Sequence, residues 1–223
     1  MKPLQAMLRC KTWVLAAVFL FGVVPIFPQT VVAEAEALPV DASLPLPEEL
    51  SSVLRNLKDA PGFSASFNQL LSFSDGSQQQ YHGELDVLPP NRFRWRYVEP
   101  FEQLFISDGS SILHYEPDLM QVSVLKEMRD VDPAVMQLLG GRLGLSDVHL
   151  LEAQAFKHRY HVRLAAETKV WLGVRAGRLD YIEGLDALGN TNRIRLLNVL
   201  LHAPDAGRFE FVPPAGVDVV PLR

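Results

Sequence analysis

The stretch Tyr81–Asp108, YHGELDVLPPNRFRWRYVEPFEQLFISD, does most to limit what this chain can fold into. Phe93, Trp95 and Tyr97 alternate with Arg92, Arg94 and Arg96, the period-two pattern of a strand with one apolar and one wet face. Upstream, Tyr81, Gly83, Leu85 and Val87 alternate with His82, Glu84 and Asp86. Pro89–Pro90 breaks the run, since proline has no N–H to give a sheet ladder. The pattern predicts two strands joined by a tight connection, with the aromatic face turned inward.

The alternation extends both ways. Phe63, Ala65, Phe67, Gln69, Leu71 and Phe73 share one face of a long strand, and Ser74–Asp75–Gly76–Ser77 turns it into the next as an antiparallel hairpin. Downstream, Gln103–Ser107, Ser111–Tyr115 and Leu119–Leu125 are separated by the turns Asp108–Gly109–Ser110 and Glu116–Pro117–Asp118, as in a meander. Strands resume at Phe156–Ala165, Lys169–Arg175, Arg178–Glu183, Thr191–Leu201 and Arg208–Val212, for about ten in all.

Two segments have helical spacing instead. Pro47–Glu48–Glu49 opens a helix carrying Leu50, Val53, Leu54 and Leu57, with acids early and Arg55 and Lys58 late, as the helix dipole favours. Asp132–Pro133 starts a second, with Val135, Met136, Leu138 and Leu139, which Gly140–Gly141 stops. A large sheet made of hairpins has two edges to hide, so it should curl, with helices covering its open side. The expected architecture is a curved antiparallel sheet with a helical cover.

The N-terminus reads as an export signal. Lys2, Arg9 and Lys11 precede the apolar run Thr12–Val24, ended by Pro25 and followed by small residues at Ala33, Ala35 and Ala37. Residues 1–33 are therefore expected to be a signal peptide with cleavage near 33–37, residues 34–47 a disordered leader rich in Ala, Pro and acids, and residues 48–223 the domain. Cleavage after residue 33 removes three positive charges and no acid, so the formal charge of −5 becomes −8. That balance argues against binding a phosphate backbone, and Arg92, Arg94 and Arg96 read as one solvated strand face. Cys10 precedes the apolar run, so the mature chain has no disulfide and no cysteine placed to carry lipid.

Catalytic signatures are missing: no G-x-S-x-G, no P-loop, no H-E-x-x-H. His158 and His161, three apart on an expected strand, would face opposite sides and could not share a metal. What stands out is apolar surface turned inward: Phe63, Phe67, Phe73, Leu85, Phe93, Trp95, Tyr97, Leu104, Ile106 and the Met136–Leu139 helix. Periodicity alone fits a packed core and a ligand cavity equally well.

Several elements, in order and spacing, resemble the LolA family, the periplasmic outer-membrane lipoprotein carriers of Gram-negative bacteria. They are Phe63-x-Ala65-x-Phe67-x-Gln69, Gly83-x-Leu85, Pro90–Asn91-x-Phe93-x-Trp95, Pro100, Ser107–Asp108–Gly109, Tyr115-x-Pro117, Gln121–Val122, Pro133, Leu138–Leu139, Thr191–Asn192 and Phe209-x-Phe211-x-Pro213–Pro214-x-Gly216–Val217. The likeness spans roughly residues 48–223. It implies a mainly β (α+β) fold: an unclosed, strongly curved antiparallel β barrel with a lid of short α-helices over a hydrophobic cavity. The implied cavity wall is Phe63, Phe67, Leu85, Phe93, Trp95, Tyr97, Leu104 and Ile106, and the implied lid carries Leu54, Leu57, Val135, Met136 and Leu139.

The resemblance also implies acylated lipoproteins as cargo, taken from an inner-membrane LolCDE-type transporter and passed to an outer-membrane LolB-type receptor. It implies no enzymatic activity, no cofactor or metal, no nucleic acid, and a monomer in the periplasm. A carrier of another lipid or glycolipid is an alternative on the same fold, and an exported hydrolase a remote one. Where the family has Arg-Pro before the Phe-x-Trp strand, this chain has Pro89–Pro90, so the arginine that ties sheet to lid is missing there. The expectation is a lid held by apolar contacts of Leu54 and Leu57 with Met136 and Leu139.

Overall fold

Strands β1 (Phe63–Ser72), β2 (Gln78–Leu88), β3 (Arg92–Glu99), β4 (Gln103–Asp108), β5 (Ile112–Glu116) and β6 (Gln121–Leu125) follow one another as an antiparallel meander. A second meander comprises β7 (Val148–Gln154), β8 (Arg159–Leu164), β9 (Lys169–Arg175), β10 (Arg178–Leu185) and β11 (Thr191–Leu201), and β11 pairs with β1 to fuse the two. Finally β12 (Asp218–Pro221) adds to β6 in parallel. The computed structural model describes residues 44–125, 145–164 and 168–221. In it the twelve strands form one sheet, ordered β12-β6-β5-β4-β3-β2-β1-β11-β10-β9-β8-β7, curved and unclosed.

Three details differ from the sequence expectation. Strand β7 has no counterpart in the alternation pattern, because His149–Glu152 does not alternate cleanly. The expected strand at 208–212 is instead a 3₁₀ turn, Ala206–Phe209, opened by the Asp205 carboxylate accepting from the Gly207 N–H. The pairing of β12 with β6 is parallel, whereas a wholly antiparallel sheet was expected.

Register divides the side chains between the two faces. Phe63, Val87, Phe93 and Ser107 form one cross-strand row; Ala65, Leu85, Trp95, Phe105 and His114 form the next; Phe67, Gly83 and Tyr97 form a third. Together with Tyr160, Val162, Leu172, Ile182, Ile194 and Leu196 from the second meander, these rows supply most of one buried cluster. The single α-helix among the described residues, α1 (Glu48–Asp59), lays Leu50, Val53 and Leu54 onto it. Burying each such side chain stabilises by about 2 kcal/mol, while the acids in the first turn and Lys58 in the last contribute at most about 1 kcal/mol each. The apolar face therefore decides where α1 sits.

The opposite face is built differently. Asp86, Arg94, Ile106 and Leu113 form one row there, and Glu84, Arg96, Leu104, Tyr115 and Val122 another. The segment after β11 crosses these rows. Arg208 donates to Asp86 at 2.9 and 2.7 Å, Ser64 donates to the same carboxylate at 2.6 Å, Phe209 is buried, and the Phe211 ring meets Tyr115 at 5.2 Å. Leu104 and Ile106 are thus buried beneath the C-terminal arm, on the side away from Phe93 and Trp95. Their assignment to the cavity wall is corrected. Arg96 is held by Glu102 at 2.7 Å, and on the second meander Glu183 is buried between Arg159 and Arg193, with the Arg159 guanidinium 4.0 Å over the Trp171 ring.

The two expected hairpin turns carry the hydrogen bonds that Asp supplies well. Asp75 accepts from the Ser77 N–H at 2.8 Å, and Asp108 accepts from Ser110 and Ser111 at 2.8 and 3.0 Å. Those backbone donors hold the Asp108 carboxyl down at about 2. Gly83 is needed for a different reason: a Cβ there would collide with the Arg96 carbonyl and come within 2.6 Å of the Phe67 ring. Gly83→Ala is accordingly expected to cost about 1–3 kcal/mol of stability, seen as a lower urea midpoint with an unchanged slope.

Candidate functional site

On the concave face, aromatic rings touch one another from β1 to β5. Phe67 meets Trp95 at 5.2 Å and Tyr97 at 5.3 Å, both edge to face. Trp95 stacks with Tyr97 at 5.8 Å, Tyr97 meets Phe105 at 6.3 Å, and Phe105 stacks flat on His114 at 4.0 Å. Tyr81 closes on Tyr97 from β2 at 5.7 Å. Each such contact adds about 0.5–1.5 kcal/mol beyond the area it buries, so the rings brace one another as a wall.

Of the expected cavity residues, Phe67 and Trp95 are rings of this wall and, with Phe63, Leu85 and Phe93, belong to the buried cluster; Tyr97 is half-buried against it. Leu104 and Ile106 are on the other face, where Ile106 lines a cleft of about 230 Å³ with Leu113, Phe209 and Phe211. Sequence reading passed over Phe105, which register places on the wall directly opposite Trp95. On the cover, Leu54 is buried and Leu57 half-buried against the cluster, while Val135, Met136 and Leu139 lie outside the described residues.

The polar groups of the wall fall into two sets. The Tyr97 hydroxyl donates to Gln69 Oε1 at 2.9 Å, and Gln69 Nε2 donates to Asn192 Oδ1 at 2.9 Å, a chain that crosses from β3 to β11. Burial, with the nearby Tyr81, pushes the Tyr97 phenol well above its ordinary range, so it stays a neutral donor. Trp95 Nε1 and His114 Nε2, by contrast, are buried without a hydrogen-bond partner among the described residues. Burial lowers the His114 pKa, outweighing the opposing pull of Glu116, whose Oε2 lies 3.8 Å from Nδ1.

A polar tie joins the cover to the sheet. At the N-terminus of α1, Glu49 accepts from the Tyr160 hydroxyl at 2.5 Å and meets His158 Nδ1 at 2.9 Å. Hydrogen bonds from Tyr160 and then His158 hold the Glu49 carboxyl below its usual 4.5, and burial with that carboxylate pushes the Tyr160 phenol up to about 12. This latch is absent from the sequence reading, which relied on apolar contacts alone. His158 is not on a strand: it caps the 3₁₀ turn Ala155–Lys157 with φ of 49°, which aims it at α1, while His161 stacks on Trp171 at 4.7 Å. A cleft of about 290 Å³ lined by Glu49, Lys157, His158, Arg175 and Tyr181 adjoins the latch. Among the described residues, no three His, Cys, Asp or Glu side chains converge as a metal would need.

The profile of the family described as outer membrane lipoprotein carrier protein LolA matches residues 58–212. The outer-membrane lipoprotein carrier protein of Bordetella pertussis is 31% identical over 209 residues, spanning 90% of this chain and 96% of that protein. The protein of the same name from Dechloromonas aromatica is 32% identical over 192 residues, spanning 82% and 91%. A LolA superfamily protein of known structure from Nitrosomonas europaea aligns with a TM-score of 0.47 at 14% identity, over 72% of this chain and 96% of that one.

The latch has a definite pH sign. Because the folded Glu49 pKa is depressed, its contribution is complete above about 4.5 and is lost as pH falls through the folded value. Acidification should therefore lower the protection of the α1 amides, relative to their intrinsic exchange rates at each pH, before that of the sheet. Glu49→Gln, losing about 1–2 kcal/mol of charged hydrogen bonding, should show reduced α1 protection factors already at pH 7 and no further reduction down to pH 4.

Proposed function

Since the chain belongs to the LolA family of outer membrane lipoprotein carriers, we propose that it shields the acyl chains of lipoproteins against its aromatic wall and carries them to the outer membrane. The observation that carries this reading is the continuous ring-to-ring surface from Phe67 to Phe105 on the concave face, with an amphipathic helix set over the same cluster. Binding and release are its whole chemistry; it transfers cargo without making or breaking covalent bonds.

The energetics set what such a carrier must do. Hiding acyl chain from water is worth about 0.8 kcal/mol per CH₂, so a chain of roughly fifteen methylenes holds on the order of 12 kcal/mol. No free diffusion through water competes with that. Release consequently needs an acceptor that takes the chain more tightly and a cover that exchanges its own contacts for those of the lipid. The Leu50, Val53 and Leu54 face of α1 supplies contacts of that kind, and the Glu49 latch limits how readily they open.

The N-terminal pattern supports export: residues 1–33 act as signal peptide, residues 34–47 as a leader, and the carrier works in the periplasm as a monomer. It receives cargo from a LolCDE-type transporter in the inner membrane and delivers it to a LolB-type receptor in the outer membrane. The test is release of newly made lipoproteins from spheroplasts. The wild-type protein should release them, and Phe93→Glu, which places a charge against the wall at a cost of several kcal/mol, should not. Phe105→Glu should fail likewise. Leu104→Thr, on the outer face, should release normally per folded molecule even if its melting temperature falls; equal loss in all three variants would undo the assignment of faces.

A further inference from the structure

Four buried side-chain polar atoms lack a hydrogen-bond partner among the described residues: Trp95 Nε1, His114 Nε2, Gln154 Oε1 and Arg159 Nε. The last two belong to groups whose other atoms are satisfied, Gln154 by Glu152 and Arg159 by Glu183. Trp95 has only one polar atom, and His114 Nδ1 comes no nearer than 3.8 Å to Glu116, too far for a hydrogen bond. On the wall, then, two whole polar groups are stranded among the described residues. They sit in one cross-strand row, Trp95 opposite Phe105 and Phe105 opposite His114, with Phe105 stacked on the imidazole.

A buried donor left unmade costs about 1–3 kcal/mol, and phenylalanine at either position would fill the same space without that cost. The rows around them are graded. Toward β1 and β2 the concave face is mostly apolar, with Phe63, Ala65, Phe67, Leu85 and Val87 beside Gln69; toward β5 and β6 it is mixed, with His114, Glu116, Gln121 and Ser123 beside Ile112 and Leu125. Trp95 stands between the mostly apolar strands and the mixed ones.

Building on the carrier reading above, we propose that the Trp95 indole N–H and the His114 imidazole engage the carbonyl linkages that join acyl chains to their head group, orienting the lipid with its tails toward β1 and β2 and its head toward β5 and β6. An acyl tail offers neither group a partner, whereas an ester or amide carbonyl accepts a hydrogen bond from the indole N–H. The imidazole, neutral through burial, can donate to a second carbonyl or accept from an amide N–H. The empty carrier bears the cost of the stranded groups and the loaded carrier does not, so linkage chemistry adds to the tail's affinity.

The test compares two probes on the purified full-length chain: a dipalmitoyl-glyceryl cysteinyl peptide, with ester carbonyls, and its dihexadecyl ether counterpart, which has none on its chains. Wild type should bind the ester probe about tenfold more tightly than the ether, and Trp95→Phe and His114→Phe should each reduce that ester-to-ether ratio severalfold, whatever they do to the affinity for the ether itself. In wild type, the indole N–H proton resonance of Trp95 should shift on adding the ester probe and not the ether, a readout that requires no stable variant. Equal wild-type affinity for both probes, or an unmoved indole resonance, overturns the anchor and leaves the carrier standing. Binding of neither probe overturns both.

Discussion

The concave face rests on one close approach, the ring of Phe67 lying over Gly83, where even a methyl group would come within 2.6 Å of it. Because nothing projects from that point, Phe67 can lie low enough for Trp95 and Tyr97 to reach its edges. Those two in turn carry Phe105, and Phe105 carries His114. The wall is therefore a sequence of dependent placements that begins with a missing side chain. A larger residue at position 83 would not remove a contact; it would shift every ring downstream of it.

The two faces of the sheet divide the work. The inner face carries the rings and most of the buried apolar side chains. The outer face of the second meander buries Glu183 between two arginines, and the outer face of the first buries Asp86 under Arg208. Buried ion pairs of this sort contribute little net stability, since desolvation offsets most of the attraction. Their value lies in placement: Asp86 fixes where the arm after β11 crosses, and with it the seating of Phe209 and Phe211 over Ile106 and Tyr115. A strand such as β4, apolar on both sides, is intelligible only once that arm is in place.

That double-sided strand explains what could be read from sequence and what could not. Wherever one face is wet, as with Arg92, Arg94 and Arg96, alternation gave both the strand and its orientation, and β1, β2, β3, β9 and β11 follow it closely. Gln103–Asp108 has Leu104, Phe105 and Ile106 in succession, so hydrophobicity cannot say which side faces in; the pairing of Trp95 with Phe105 decides it. The carboxylate latch was invisible for another reason. Glu49 and Tyr160 are 111 residues apart, and nothing local marks either as a partner, since an acid in the first turn of a helix is already accounted for by the helix dipole. The family resemblance supplied the barrel and the cargo, but its cavity list inherited the ambiguity of β4.

Both ends of the described chain act on the sheet's borders. Leu44 bridges to Leu150 on β7 at one border, and β12 pairs with β6 at the other. The consequence concerns the order in which the molecule is made. Strand β6 is synthesised about a hundred residues before its parallel neighbour, so throughout that interval its open ladder faces the surroundings with no native partner. A nascent carrier thus passes through a stage in which its own edge can recruit another chain, and Asp218–Pro221 ends that stage, making the last strand a guard against self-association as much as a part of the wall's frame.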